Sequence, residues 1–122
     1  DVVSVKGKDY FFSTLKAVEE LGGMETFVKR GDRVGLLVNS PFKNLGAYVN
    51  PNITLAMVKM CNDAGAREIR YLKDPHKGYW EKSALAAKYS DAIKSLKYES
   101  GNHLKMDIPG GISLKEILKK PV

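Results

Sequence analysis

The sequence predicts an α/β domain with three layers, α/β/α, around a mainly parallel sheet of about four strands with helices on both faces. Three observations carry this expectation. Apolar runs of strand length alternate along the chain with stretches of helical period. The run Val34-Gly35-Leu36-Leu37-Val38 is apolar without alternation, which suits a strand covered on both faces. Right-handed crossovers between successive parallel strands then place helices on both sides of the sheet.

The elements follow in order. Val2, Val3 and Val5 form a short β-branched run closed by Gly7, the pattern of a buried strand. From Asp9 the period changes. Phe11, Leu15 and Val18 recur at helical spacing, with Phe12 alongside and Leu21 extending the stripe. Asp9 suits the N-cap and Gly22-Gly23 the stop. Met24 to Val28 supplies a further turn of helix, broken by Arg30-Gly31-Asp32, and the Val34–Val38 strand comes next. Asn39 to Asn50 is a loop rich in Asn, Ser, Pro, Gly and Lys. The clearest helix comes after it. Asn50 can cap it, Pro51 occupies the first helical position where a missing N–H costs nothing, and Gly65 ends it. Between them Ile53, Met57, Met60, Cys61 and Ala64 follow helical spacing.

Glu68-Ile69-Arg70-Tyr71-Leu72 alternates polar and apolar residues, so it reads as a third strand, and Lys73 to Gly78 as a second polar loop. A third helical region starts near Tyr79–Trp80, runs through Ala84–Tyr89 and restarts at Ser90-Asp91 towards Leu96. Leu104, Met106 and Ile108 alternate as a weak strand before Pro109-Gly110-Gly111, and the tail Ile112–Val122 suits a short helix or a strand. The resulting order, β-α-β-α-β-α-β, is Rossmann-like. With no internal repeat and no linker, residues 1–122 read as a single domain.

Composition bounds the function. A length of 122 residues fits one domain at roughly 100–200 residues each, and 43% hydrophobic residues suffice for a core. No run approaches the ~18 apolar residues of a membrane helix. The single cysteine, Cys61, excludes an internal disulfide framework and an iron–sulfur cluster held by this chain's thiolates alone. The chain opens at Asp1 without an initiator methionine, so the expectation is that a longer chain was cut there or a leader was removed. Cytoplasmic and exported origins both stay open.

In open parallel sheets ligands bind beyond the carboxyl ends of the strands. That rule selects the loops Asn39–Asn50 and Lys73–Gly78. The first runs into the N-terminus of the Pro51 helix, whose free N–H groups and dipole favour an anion. Asn39, Ser40, Lys43, Asn44, Asn50 and also Asn52 are thus candidates to hold a phosphate or carboxylate, with Asp74, His76 and Lys77 facing them from the second loop. The plain alternative is that Asn50 is only a cap and the lysines are solvated.

Other chemistries find less support. The glycines match neither G-x-G-x-x-G nor a P-loop. His76 and His103, with Asp74 and Asp107, are the only material for a metal site, and no metal or cofactor is assigned. Cys61 sits on an apolar stripe and reads as an inert thiol rather than a nucleophile. Asn52-Ile53-Thr54 matches the N-glycosylation pattern but lies in the first turn of a helix. Twenty Lys+Arg against 14 Asp+Glu give a net charge of +6, spread along the chain, with only Lys115, Lys119 and Lys120 clustered. Tyr71, Tyr79, Trp80 and Tyr89 offer stacking surfaces, yet no recognised nucleic-acid module appears.

Leu21-Gly22-Gly23-Met24, followed by Phe27-Val28-Lys29-Arg30-Gly31-Asp32-Arg33-Val34, resembles the opening of the bacterial and archaeal family labelled domain of unknown function 362. The resemblance continues through the strand ending in Asn39, through Asn50-Pro51, and through Asp63-Ala64-Gly65-Ala66 before the Glu68–Leu72 strand. It covers about Val2 to Leu118. It implies an α/β fold and a site at the strand ends, in proteins sometimes joined to ferredoxin-type modules. Two departures limit the transfer. Where the family reads Lys-Pro-Asn, this chain has Leu37-Val38-Asn39, so a role for that lysine does not carry over. Family members also continue into a second half, with an Asp-rich strand and a Lys/His segment, so the resemblance implies that 1–122 is a partial or short form.

The leading expectation is a domain that binds a small polar or anionic ligand, with no catalytic acid, base or nucleophile assigned. The alternatives are a non-catalytic interaction or oligomerisation module, through self-association or a companion chain, and weak nucleic-acid binding, which ranks last.

Overall fold

The computed structural model describes residues 1–40, 44, 46–75, 77–98, 103–106 and 115–118, the last two stretches as backbone. It is a mixed α/β structure. Helix α1 (Tyr10–Glu20) precedes strand β1 (Arg33–Leu36), helix α2 (Pro51–Asp63) and strand β2 (Glu68–Tyr71). Helix α3 (Ser90–Lys94) and strand β3 (Lys97–Tyr98) follow, then β4 (His103–Met106) and β5 (Lys115–Leu118). The first three strands form a parallel sheet in the order β1-β2-β3, with Val34 opposite Ile69 and Tyr71 opposite Tyr98. Strands β4 and β5 pair with each other, antiparallel.

Local chemistry sets both long helices. Asp9 accepts a hydrogen bond from the Phe12 amide at 3.0 Å and starts α1. Gly22 and Gly23 end it, donating to the carbonyls of Glu19 and Val18. At the end of α2 the Gly65 and Ala66 amides donate in the same pattern to Asn62 and Cys61. Gly65 takes φ 88°, and a Cβ there would also press on Arg30, at 3.1–3.4 Å. At the start of α2 the Asn50 side chain accepts from the Asn52 amide at 2.9 Å. Asn50→Ala therefore lowers unfolding free energy by about 0.5–2 kcal/mol, and Asn50→Gly by only a few tenths. Urea unfolding checks this, and equal midpoints for the three proteins would contradict it.

The core lies on the sheet face that carries Val34, Leu36, Ile69 and Tyr71. Val58 and Cys61 of α2 pack there with Met24, Val28 and Ile69, while Leu55 and Ala56 meet Phe11 of α1. The opposite face carries Glu68, which pairs with Arg33 at 3.5 Å and with Arg70 at closer range. The Arg70 hydrogen bond holds the Glu68 carboxyl below its usual range. Gly35 is fixed on this face by space, since a Cβ would come within 2.8 Å of the Leu72 side chain.

Several expectations need correction. Val2, Val3 and Val5 form no strand, and Val2 is 97% exposed. β-branched residues hold a strand only where a neighbour completes the ladder, and no described strand pairs with them. The second strand ends at Leu36 rather than Val38, because Leu37 turns to solvent while Val38 packs on Tyr71 and Tyr79. The parallel sheet has three described strands rather than four, and the predicted strand at Leu104 and Met106 belongs to the separate β4-β5 pair. Ile108 lies outside the described residues, and the tail contributes β5.

The expected stripe of α2 is also too narrow. Thr54, Leu55, Ala56 and Val58 are buried along with Cys61, while Ile53, Met57, Met60 and Ala64 are partly exposed. Contacts with α1 on one side, the sheet on another and residues 85–89 on a third widen the buried arc beyond one stripe. The third helical region divides into 3-10 turns at Trp80–Lys82 and Leu85–Tyr89 and then α3. Ser83 makes the break: its backbone is extended and its hydroxyl accepts from the Ala86 amide at 3.1 Å, competing with the helical ladder.

Candidate functional site

The polar candidates fall into two groups around the carboxyl ends of β1 and β2. In the first loop the Asn39 carbonyl accepts from the Val49 amide at 2.9 Å, and its side-chain amide donates to the Ala47 carbonyl at 3.4 Å. The loop thus folds back beside Asn39, and Asn50 follows directly. Ser40 is buried and engaged, and Asn44 is exposed with its carbonyl bonded to the Ala47 amide. The Asn50 side chain serves as the helix cap, and Asn52 accepts a hydrogen bond from the Ser83 hydroxyl. Lys43 and His76 lie outside the described residues.

Asp74 and Lys77 line an open cleft of about 410 Å³ directly after β2, with Pro75, Gly78, Tyr79, Trp80 and Glu81. The lining does not include Asn39, Ser40, Asn44 or Asn50, so the two groups of candidates do not share this cleft. Tyr79 links them instead. Its hydroxyl donates to the Val49 carbonyl at 2.8 Å and lies 2.8 Å from the Thr54 hydroxyl of α2. Lys82 sits over the Tyr48 ring at 3.8 Å, a second tie across the same seam.

Spacing and composition did not assign these linking residues to the site. Tyr79 and Trp80 carried the only signal, as a pair of aromatics beside a polar loop. The Trp80 indole N–H donates to the Tyr71 hydroxyl at 2.8 Å, and the Trp80 and Tyr79 rings meet edge to face with centroids 5.2 Å apart. Tyr71 ends β2, so the strand itself sets the orientation of the indole.

Burial governs the titration of these groups. It pushes the Tyr71 phenol up to about 12, against the opposing hydrogen bond from Trp80, and raises Tyr79 as well. A buried phenol holds its proton in the folded chain after the unfolded chain has lost it. The stability it contributes is therefore present below pH 10 and falls as pH rises from 10.0 towards about 12. In an alkaline titration, phenolate absorbance from these two tyrosines should appear together with loss of helical circular dichroism. Full ionisation while the fold persists would contradict this. Burial raises the Cys61 thiol too, consistent with an unreactive sulfur in the core.

Among the described residues no group of three or more His, Cys, Asp or Glu is placed to hold a metal ion. No described helix is long and apolar enough to cross a membrane. The described residues form a mixed α/β structure with a three-stranded parallel sheet and a cleft lined by aromatic and charged residues beyond β2. Compared with protein-family models, curated proteins and solved structures, the chain has no significant match in any of the three.

Proposed function

We propose that this chain binds a small polar or anionic ligand at the carboxyl ends of β1 and β2. The observation that carries the reading is the cleft of about 410 Å³ immediately beyond β2, lined by Asp74, Lys77, Tyr79, Trp80 and Glu81. Its size falls in the range of about 300–1,000 Å³ common to small-molecule sites, and strand ends of parallel sheets are where such sites form. Asn39 is tied to the cleft wall through Val49, whose amide donates to the Asn39 carbonyl and whose carbonyl accepts from Tyr79. In the Rossmann-like form of this reading, a further helical layer covers the sheet face carrying Glu68 and Arg70. The parallel strands and their helical crossovers support its Rossmann-like part. In the order β1-β2-β3 the right-handed crossovers put α2 and α3 on the same sheet face, so the second layer is what this reading adds.

Membership of the family labelled domain of unknown function 362 is part of the same proposal. The segments that resemble it close α1 and α2 and lead into β1 and β2. They support a shared scaffold rather than a shared reaction.

Trp80 is the only tryptophan, so intrinsic fluorescence reports directly on the cleft. Titration of the whole chain with inorganic phosphate, small carboxylates, a neutral sugar and adenine should give a saturable change for at least one of them. The expected Kd is of order 1 mM or tighter. Absence of a saturable response to all of them would overturn the proposal.

A specific observation favours a second reading, an interaction module. Leu37, continuing the edge strand β1, is 73% exposed. Sedimentation velocity should then show association that rises with concentration. A monomer throughout would remove this reading.

A further inference from the structure

We infer that the outer edge of β1 receives a second copy of this chain, whose residues 2–5 add to it as a strand. The inference rests on the interaction-module reading and names its partner. Strand β1 ends the sheet, and among the described residues no strand lies on its outer side. The Leu36 carbonyl accepts from the Leu72 amide, so the backbone groups of Gly35 and Leu37 turn the other way, to the open edge. Native edges are usually blunted by charge, proline or a bulge. Residues 34–38, Val-Gly-Leu-Leu-Val, carry neither charge nor proline, and Leu37 is 73% exposed.

The same chain carries a segment that lacks what this edge offers. Residues 2–5, Val-Val-Ser-Val, have strand propensity and belong to no strand. Among the described residues none of 2–6 enters a backbone hydrogen bond. Within its own copy the segment runs beside Lys16 and Glu20 of α1, across a gap of about 330 Å³, rather than along β1. An unpaired edge and an unpaired strand-forming segment are present in every copy, so two copies can complete each other by isologous exchange. The side-chain pattern fits one register. With Ser4 opposite Gly35, Val3 and Val5 lie beside Val34 and Leu36 on the core face, whichever way the added strand runs. A slip of one residue would turn both valines outward.

Sedimentation velocity of the full chain tests this with Leu37→Lys, the double variant Val3→Pro/Ser4→Pro, and an equimolar mixture of the two. Leu37 is exposed and residues 3 and 4 lie outside every helix and strand, so both variants should keep the wild-type melting temperature. Wild type should form a dimer as concentration rises. Each variant alone should associate about tenfold or more weakly. The mixture should regain association, because a mixed pair joins one intact edge to one intact segment. Wild-type association that Val3→Pro/Ser4→Pro or Leu37→Lys leaves unchanged overturns this inference and leaves the interaction reading standing. So does a mixture that associates no better than either variant alone. A wild-type monomer at all concentrations overturns both.

Discussion

Tyr79→Ala should lower unfolding free energy by about 3–5 kcal/mol, and Tyr79→Phe by about 1–3 kcal/mol. Tyr79 is 1% exposed and is the largest fully buried side chain among the described residues. Alanine would remove the ring from the cluster with Val38 and Tyr71 and leave a cavity. Phenylalanine keeps the ring and removes only the hydroxyl. It would leave the Val49 carbonyl and the Thr54 hydroxyl short of a partner 2.8 Å away in each case. The two variants separate packing from hydrogen bonding at one position. Urea unfolding of both measures the difference. Equal stability of Tyr79→Phe and wild type would mean that the hydroxyl does not hold the seam. The Phe variant should also speed amide exchange at Tyr48 and Val49, since its missing bond is one of the two ties from that loop across the seam.

Leu55→Ala should cost about 2–5 kcal/mol. Leu55 is 0% exposed and lies on α2 where it meets Phe11 of α1, with Leu85 and Tyr89 of the following turn packed against the same cluster. Three separate chain segments converge there, so the cavity left by alanine would collapse only at the expense of contacts elsewhere. A loss below about 1 kcal/mol would indicate that α1 and the 85–89 turn shift easily onto α2.

Much of this structure was legible wherever a local rule decides it. Asp9 and Asn50 cap the helices on which their side chains act, and Gly22 and Gly65 stand where helix ends need glycine. The alternation of Glu68 to Tyr71 matches a strand with one buried and one partly exposed face. What stayed hidden depends on partners distant in sequence. Nothing local shows that Ser83 bonds to Asn52, 31 residues away, and so interrupts a helical stretch. Val2 to Val5 carry strand propensity and lack a described strand to pair with. Strand β3 is two exposed residues long, too short for any period.

The strand-end rule selected two loops; a cleft lies at the second, with Asp74 and Lys77 in its lining, and the first does not line it. It could not show that the Asn50 side chain is spent on its helix, or that Tyr79 and Trp80 form the wall. Those roles follow from which hydroxyl and indole groups the tertiary packing brings together.

Amide NMR of the full chain, titrated separately with adenine and with inorganic phosphate, decides whether the strand ends bind a ligand. Saturable shifts should concentrate in residues 73–82 and extend across the Tyr79 seam to 46–50, with the Trp80 indole N–H among them. Shifts centred instead on Arg33, Glu68 and Arg70, or on the α1–α2 groove near Met24 and Met60, would refute binding at the strand ends. So would spectra that do not change at all.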